Sequence, residues 1–223
     1  SMPYKQTVMP YMDELTESAQ LIGAVNTVIN RDGKLIGHNT DGIGFFRSLA
    51  TFADFDVKDK TMTILGGGGA ATAIIAQAAL NGAKKITIFN QTPFLEQTKA
   101  YAKMISEKTG AELEVLPVED LDSIEERTAQ SQLLVNATSV GMDGESMIIK
   151  PDMTFPDHLL VADVIYQPFE TPFLAYARSK GLTALNGLGM LLFQAAEAYE
   201  AWTGVTMPTE EIWQALTETY DTH

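Results

Sequence analysis

The stretch 61–72, Thr-Met-Thr-Ile-Leu-Gly-Gly-Gly-Gly-Ala-Ala-Thr, constrains the fold of this chain more than any other. A β-prone run at 62–65 leads into four consecutive glycines, and a helix-forming stretch at 70–80 follows at once. Strand, tight turn and helix in this order are typical of the first unit of a Rossmann dinucleotide-binding fold. A flexible glycine-rich loop is the alternative, but the flanking strand and helix favour a dinucleotide site.

Each residue of the glycine run has a physical role in such a site. Gly66 would form the turn, and Gly68 would let the backbone approach a pyrophosphate. Gly69 and Ala70 would open the helix, whose free N–H groups and dipole favour an anion. We therefore predict that residues 66–70 bind the phosphates of a dinucleotide.

Composition excludes several classes of function. The 223 residues carry 29 acidic and 15 basic side chains, a net charge of −14, so the surface should repel nucleic acid and anionic membranes. Cysteine is absent, which excludes disulfides and thiolate chemistry, and the three histidines are too scattered to predict a metal site. With neither a signal peptide nor an apolar run near ~18 residues, the sequence predicts a cytoplasmic protein without membrane contact.

From residue 61 onward, short β-prone runs alternate with helical patterns. This alternation predicts an α/β fold, in which a Rossmann-type parallel sheet is covered by helices on both faces. Strands are predicted at 61–65, 85–89, 112–116, 132–136, 159–164 and 183–186, and helices at 69–81, 94–109, 119–129, 171–180, 188–203 and 208–219.

The segment before residue 61 has a different pattern. We predict a helix over 6–19, a β-hairpin formed by 24–30 and 34–38, and then a helix capped by Thr40 or Asp41. The long connection at 141–157 is rich in glycine and proline and is predicted to be a mobile flap.

The turn after the second predicted Rossmann strand bears on the choice of cofactor. Proteins that select NAD usually place Asp or Glu there, on the ribose 2′-hydroxyl, and an arginine nearby binds the 2′-phosphate of NADP. This chain has Asn90, Gln91 and Thr92, which are neutral and could donate hydrogen bonds to either cofactor. A simple polar turn explains these residues almost as well, so the choice stays open at this point.

Seven blocks, in order and spread over nearly the whole chain, resemble the shikimate dehydrogenase family, including its quinate/shikimate relatives. The resemblance implies a nicotinamide-dependent oxidoreductase with a Rossmann domain and an α/β substrate domain. The matching blocks are 1–5, 21–27, 37–42, 66–71, 136–142, 163–168 and 186–194.

In that family Lys5 matches a catalytic lysine and Asp41 a catalytic aspartate. Interconversion of an alcohol and a ketone needs a proton relay beside the reacting oxygen, and an ammonium with a carboxylate can supply it. Without the resemblance, Lys5 would be taken for a solvated charge and Asp41 for a helix cap.

The resemblance also implies substrate and cofactor contacts; without it, Tyr166 and Met190 would be taken for core residues. The implied substrate-binding residues are Ser1, Asn26, Asp41, Tyr166 and Gln194. Near the nicotinamide it implies Thr138, Val164, Gly187 and Met190, and it adds Ser139 to the cofactor-binding residues.

The chain departs from the family pattern in two places. The strand-helix-strand segment that precedes the lysine in the family, with its paired serines, is absent, and the common Asn-Arg-Thr motif is Asn90-Gln91-Thr92 here. We accordingly expect a partial substrate domain at 1–42, a nicotinamide domain at 43–187 and closing helices at 188–223. Ser1 is either a cloning remnant before Met2 or a start inside a domain.

The expected activity is NADPH-dependent reduction of 3-dehydroshikimate to shikimate, a step of aromatic amino acid and chorismate biosynthesis. A monomer or homodimer with a small-molecule substrate is expected. The alternatives are an NAD-using quinate/shikimate dehydrogenase, a truncated dinucleotide-binding module without catalysis, and an incomplete chain whose exposed sheet edge pairs with another copy.

Overall fold

A six-stranded parallel sheet forms the centre of the molecule in a computed structural model that describes residues 3–220. Its strand order is β6-β5-β4-β7-β8-β9, and every strand begins and ends within one residue of the predicted bounds. The predicted Rossmann-type α/β fold is therefore confirmed. The strands are β4 (Thr61–Leu65), β5 (Lys85–Asn90), β6 (Glu112–Pro117), β7 (Leu133–Asn136), β8 (Leu160–Asp163) and β9 (Ala184–Leu185).

Helices cover both faces of this sheet because its central strands are apolar on both sides. In β4, Met62 and Ile64 point into one core and Leu65 into the other, as the two-residue period of a strand requires. All three side chains are fully buried. The helices are α1 (Glu17–Ile22), α2 (Asp41–Ala53), α3 (Gly69–Leu80), α4 (Leu95–Thr109), α5 (Leu121–Thr128), α6 (Pro172–Ser179), α7 (Leu188–Thr203) and α8 (Thr209–Tyr220).

A second, three-stranded sheet lies in the N-terminal part, with the order β1-β3-β2. The predicted hairpin is confirmed: β2 (Thr27–Arg31) pairs antiparallel with β3 (Lys34–His38). The short strand β1 (Glu14–Leu15) adds to β3 in the parallel direction.

The predicted helix over 6–19 is wrong. A 3-10 turn at Met9–Tyr11, β1 and the start of α1 occupy this segment instead. The Thr16 side chain caps α1 by accepting from the Ala19 N–H, and its own N–H donates to the carbonyl of Gly37, 2.9 Å away. Pairing with β3 thus provides backbone hydrogen bonds for the segment around β1. The helical spacing of apolar residues over 6–19 could not predict this pairing, because the partner strand lies about 20 residues further along the chain.

The predicted flap is partly core. Ile149 and Met153 are buried, and the Lys150 ammonium lies 2.8 Å from the Asp122 carboxylate and 2.6 Å from that of Glu125 on α5. These contacts anchor the second half of the connection against the sheet.

Helices α2 and α7 pack closely and connect the two sheets. An added Cβ at Gly44 would lie 2.4 Å from the backbone nitrogen of Gln194, so only glycine permits this approach. The predicted divisions after residues 42 and 187 fall at the starts of α2 and α7, and the extents of the domains stay predictions. Within residues 3–220, no helix is long and apolar enough to cross a membrane.

Candidate active site and dinucleotide site

The glycine turn connects β4 to α3 at the carboxyl edge of the large sheet. Gly66 adopts φ +114°, a conformation that favours glycine, and its N–H donates to the Phe89 carbonyl at 2.7 Å. A Cβ at Gly67 would lie 2.1 Å from Nδ2 of Asn90, whereas one at Gly68 would meet nothing within 4 Å. Space is thus left open on the Gly68 side, at the N-terminus of α3, where Gly69 and Ala70 form the first turn.

Two cavities flank this turn, with volumes of about 380 and about 430 Å³. Both are lined by Gly67, Gly68, Asn90 and Gln91. The larger one extends along the sheet edge to two predicted cofactor-binding residues, Thr138 and Ser139, and to the connection after β6, Val118 and Glu119. An open helix N-terminus between two cavities fits the pyrophosphate of a dinucleotide.

The polar turn after β5 is held by side-chain hydrogen bonds. Asn90 donates through Nδ2 to the Thr98 hydroxyl at 2.9 Å and accepts from the Gln91 N–H at 2.9 Å. Thr92 donates from its N–H and its hydroxyl to the carboxylate of Glu119, at 3.2 and 3.0 Å. Hydrogen bonds from its own backbone amide and from the Thr92 N–H lower the pKa of Glu119.

Sequence reasoning missed Glu119 because only the residues directly after β5 were considered. A usable signal existed: Glu119 follows the next strand, and the carboxyl ends of neighbouring parallel strands meet at one edge.

A buried polar network positions the loops after β7 and β8. Asn136 donates through Nδ2 to both carboxylate oxygens of Asp163, at 3.1 and 3.2 Å, and accepts from the Thr138 hydroxyl at 2.7 Å. The hydroxyl of Thr171 donates to Asp163 at 2.8 Å. Burial raises the pKa of Asp163, because desolvation disfavours the charged form.

The other residues predicted near the nicotinamide meet at the start of α7. A Cβ at Gly187 would lie 2.0 Å from the carbonyl oxygen of Val164, so these two backbones are in direct contact. The Gly187 N–H also donates to the Ile165 carbonyl at 2.9 Å. Met190, one turn further along α7, is half-buried against the core beneath β4.

Three predicted residues from the N-terminal part form one hydrogen-bonded group. The Lys5 ammonium donates to Oδ2 of Asp41 at 2.5 Å, and the Asn26 amide donates to Oδ1 at 2.8 Å. The group is partly accessible to solvent, since 28% of the Lys5 side chain and 12% of the Asp41 side chain are exposed.

Long-range contacts hold this group in place. The Lys5 carbonyl accepts from the Val25 N–H at 2.7 Å, which brings the start of the chain beside Asn26. Asp41 is the first residue of α2, and Thr40 occupies the N-cap position without capping through its side chain. The expected side-chain cap is thus absent, because the Thr40 hydroxyl and N–H are hydrogen-bonded to Asn26 instead.

The remaining predicted substrate residues lie apart from this group. Gln194 donates to the Leu191 carbonyl on its own helix, and the Tyr166 ring packs edge-on against that of Tyr220, 5.7 Å between centroids. Within residues 3–220, neither side chain has a hydrogen bond to Lys5, Asp41 or Asn26. Ser1 lies outside the described residues.

Chemically, the group pairs a proton donor with a proton acceptor. An ammonium held by a carboxylate can donate to a substrate oxygen and recover the proton through its partner, and the amide fixes the carboxylate for this purpose. No group of three or more His, Asp or Glu side chains suited to a metal ion occurs in the described part of the chain.

Two family models match the ends of the chain. The shikimate dehydrogenase substrate-binding domain matches residues 1–28, and the shikimate 5′-dehydrogenase C-terminal domain matches residues 187–217.

Relatives match over nearly the whole chain. A shikimate dehydrogenase (NADP(+)) of Streptococcus mutans is 71% identical over 99% of this chain and 76% of its own length. The structure of the Listeria monocytogenes shikimate 5-dehydrogenase with shikimate and NAD aligns with a TM-score of 0.92 and 44% identity, covering 97% of this chain and 75% of the other. A quinate dehydrogenase of Corynebacterium glutamicum with NAD aligns at 0.86 and 30% identity, covering 98% and 76%.

The chain thus spans about three quarters of the length of the curated relative that it matches at 71% identity. Such identity over this coverage, together with the fold, identifies the family: this chain belongs to the shikimate dehydrogenases.

Proposed function

We propose that this chain catalyses the NADPH-dependent reduction of 3-dehydroshikimate to shikimate. The observation that carries the proposal is the hydrogen-bonded group of Lys5, Asp41 and Asn26, in a chain that also has an open glycine turn suited to a dinucleotide. The name of the Streptococcus mutans relative supports both the reaction and NADP. The pathway is accordingly aromatic amino acid biosynthesis, through chorismate.

The glycine turn and the first turn of α3 would hold the pyrophosphate through their backbone N–H groups. Residues after β7 and β8, Thr138 and Val164, would lie beside the nicotinamide, and Gly187 and Met190 would close this end of the site. The nicotinamide, when bound, supplies or accepts the hydride.

Lys5 and Asp41 manage the proton. In the reducing direction the carbonyl carbon gains a hydride and its oxygen gains a proton, which Lys5 donates. The carboxylate of Asp41 holds the ammonium in position, and Asn26 holds the carboxylate. In the oxidising direction the same pair receives the proton of the alcohol. Tyr166 and Gln194, which lie apart from this group, are proposed as further contacts to the substrate.

The test follows NADPH formation at 340 nm with shikimate as substrate. We expect Lys5→Met to lower kcat by about 10²-fold or more, the usual contribution of a positioned proton donor, with the Kd of NADP⁺ unchanged. Lys84→Met is the matched control, since this exposed lysine precedes β5 at the opposite edge of the sheet. Equal turnover by the wild type and Lys5→Met would refute the role of Lys5.

The competing functions are separated in the same assay. An NAD-using quinate/shikimate dehydrogenase, favoured by Gln91 in place of arginine and by the quinate dehydrogenase relative, would turn over quinate with NAD faster than shikimate with NADP. Dinucleotide binding with no turnover of either acid would indicate a binding module. As a biosynthetic enzyme, the protein is expected in the cytoplasm as a monomer or homodimer, and its mass in size-exclusion chromatography distinguishes the two.

A further inference from the structure

A carboxylate lies beside the turn after β5, although it belongs to a different connection. Glu119 follows β6, and it accepts hydrogen bonds from the N–H and the hydroxyl of Thr92. Strand β6 is the parallel neighbour of β5, with Asn90 opposite Pro117. The residues that follow the two strands therefore meet at one edge of the sheet.

This edge is where a Rossmann fold distinguishes its cofactors. The turn after the second strand ordinarily carries an acid for the ribose 2′-hydroxyl of NAD, or an arginine for the 2′-phosphate of NADP. Here that strand is β5, and its turn is neutral. Glu119 lines the same cavity as the glycine turn and Asn90, and among the described residues that line the two cavities it alone is charged.

We propose that Glu119 limits the preference of this enzyme for NADP(H) over NAD(H). Its carboxylate, supplied by the connection after β6, takes the place of the acid that is absent after β5. It accepts a hydrogen bond from the 2′-hydroxyl of NAD(H) and repels the 2′-phosphate of NADP(H), so that NAD(H) competes with NADP(H) at the site. The proposal rests on the proposed function for the identity of the dinucleotide.

Two physical effects act against the 2′-phosphate. Hydrogen bonding lowers the pKa of Glu119, so this side chain is ionised at neutral pH, and the phosphate carries about −1.5 to −2 charges. The N–H and the hydroxyl of Thr92 already donate to this carboxylate and are therefore not free to bind the phosphate. Like charges about 4 Å apart in water, partly screened by salt, weaken binding on the order of tenfold.

The first experiment measures nucleotide binding alone. Titration calorimetry with 2′,5′-ADP and with 5′-AMP gives the ratio of the two affinities, which does not depend on catalysis. We expect Glu119→Gln, which keeps an acceptor for Thr92 and loses the charge, to shift this ratio about tenfold towards 2′,5′-ADP. Glu145→Gln removes the same charge from the exposed 141–157 connection and should leave the ratio unchanged.

The second experiment compares kcat/KM for NADP⁺ and NAD⁺ with shikimate. Glu119→Gln should raise the NADP⁺ to NAD⁺ ratio by a similar factor, and added salt should raise the ratio in the wild type but not in the variant. An unchanged ratio in both experiments would overturn the role of Glu119. A shifted binding ratio without turnover of shikimate would instead overturn the proposed reaction and leave the role of Glu119 standing.

Discussion

Alanine at Gly68 and at Gly66 should separate cofactor binding from folding. Gly68 has φ −77° and ψ −171°, which any residue adopts, and its added Cβ meets nothing within 4 Å. Gly66 has φ +114°, and its added Cβ would lie 2.8 Å from the Ala137 carbonyl oxygen. The two substitutions are chemically the same, but only one conflicts with the protein itself.

The expected free energies of unfolding follow from this geometry. Gly68→Ala gains about 0.4–1 kcal/mol from a less flexible unfolded chain and loses a similar amount because Ala is a poor N-cap residue. Its stability should therefore stay within about 0.5 kcal/mol of the wild type. Gly66→Ala should lose about 1–3 kcal/mol through backbone strain, and more through the close contact.

Affinity for the dinucleotide should change at Gly68. A methyl group there occupies the space that a pyrophosphate needs to reach the N–H groups of α3, and loss of one hydrogen bond to a charged group costs about 1.5–3 kcal/mol. The Kd of NADP⁺ should thus rise roughly 10- to 100-fold. Urea unfolding and titration calorimetry on the two variants measure both quantities. Wild-type affinity in Gly68→Ala would show that the pyrophosphate does not bind at this turn.

Two further predictions concern stability and pH. Asp163→Asn should lower the free energy of unfolding by about 1–3 kcal/mol, because the new amide places a donor where Asp163 accepts from Asn136 and Thr171. Burial raises the pKa of Asp163, so the folded state binds the carboxyl proton more tightly than the unfolded state does. The resulting stabilisation is present below about pH 4 and declines as pH rises through the raised pKa. Urea unfolding between about pH 4 and 7 should show this decline in the wild type and not in Asp163→Asn. Burial lowers the pKa of His38, whose Nδ1 lies 2.9 Å from the Thr16 hydroxyl, so the contribution of His38 to stability should be complete above the ordinary pKa of 6.5 and decline as pH falls below it. Between about pH 7 and 5.5, His38→Gln should therefore lose less free energy of unfolding than the wild type, as measured by urea unfolding. An equal loss in the two proteins would contradict this role of His38.

Local pattern was sufficient for the large sheet and insufficient for the start of the chain. The strand at 61–65 and the helix at 188–203 begin and end at their predicted residues, because burial on two faces and a clear apolar period leave a direct trace in sequence. Over 6–19 the apolar spacing suits a helix equally well, and pairing with β3 decided the outcome.

The candidate site shows the same division. The glycine run alone predicted the turn, and resemblance to the family selected Lys5, Asp41 and Asn26, whose roles stay predictions. Their contact depends on the hydrogen bond between Val25 and Lys5 and on the start of α2, neither of which follows from spacing along the chain.

The sequence by itself determined that a strand, a glycine turn and a helix would follow one another, because these are local preferences of neighbouring residues. Only the tertiary structure decided which charged side chain lies beside the cavity at that turn. The turn after β5 is neutral in sequence, but β6 pairs beside β5 and brings Glu119 to Thr92, 27 positions earlier in the chain. The order of strands in a sheet is set by long-range packing. That order placed the Glu119 carboxylate beside the turn after β5, which has no acidic residue of its own.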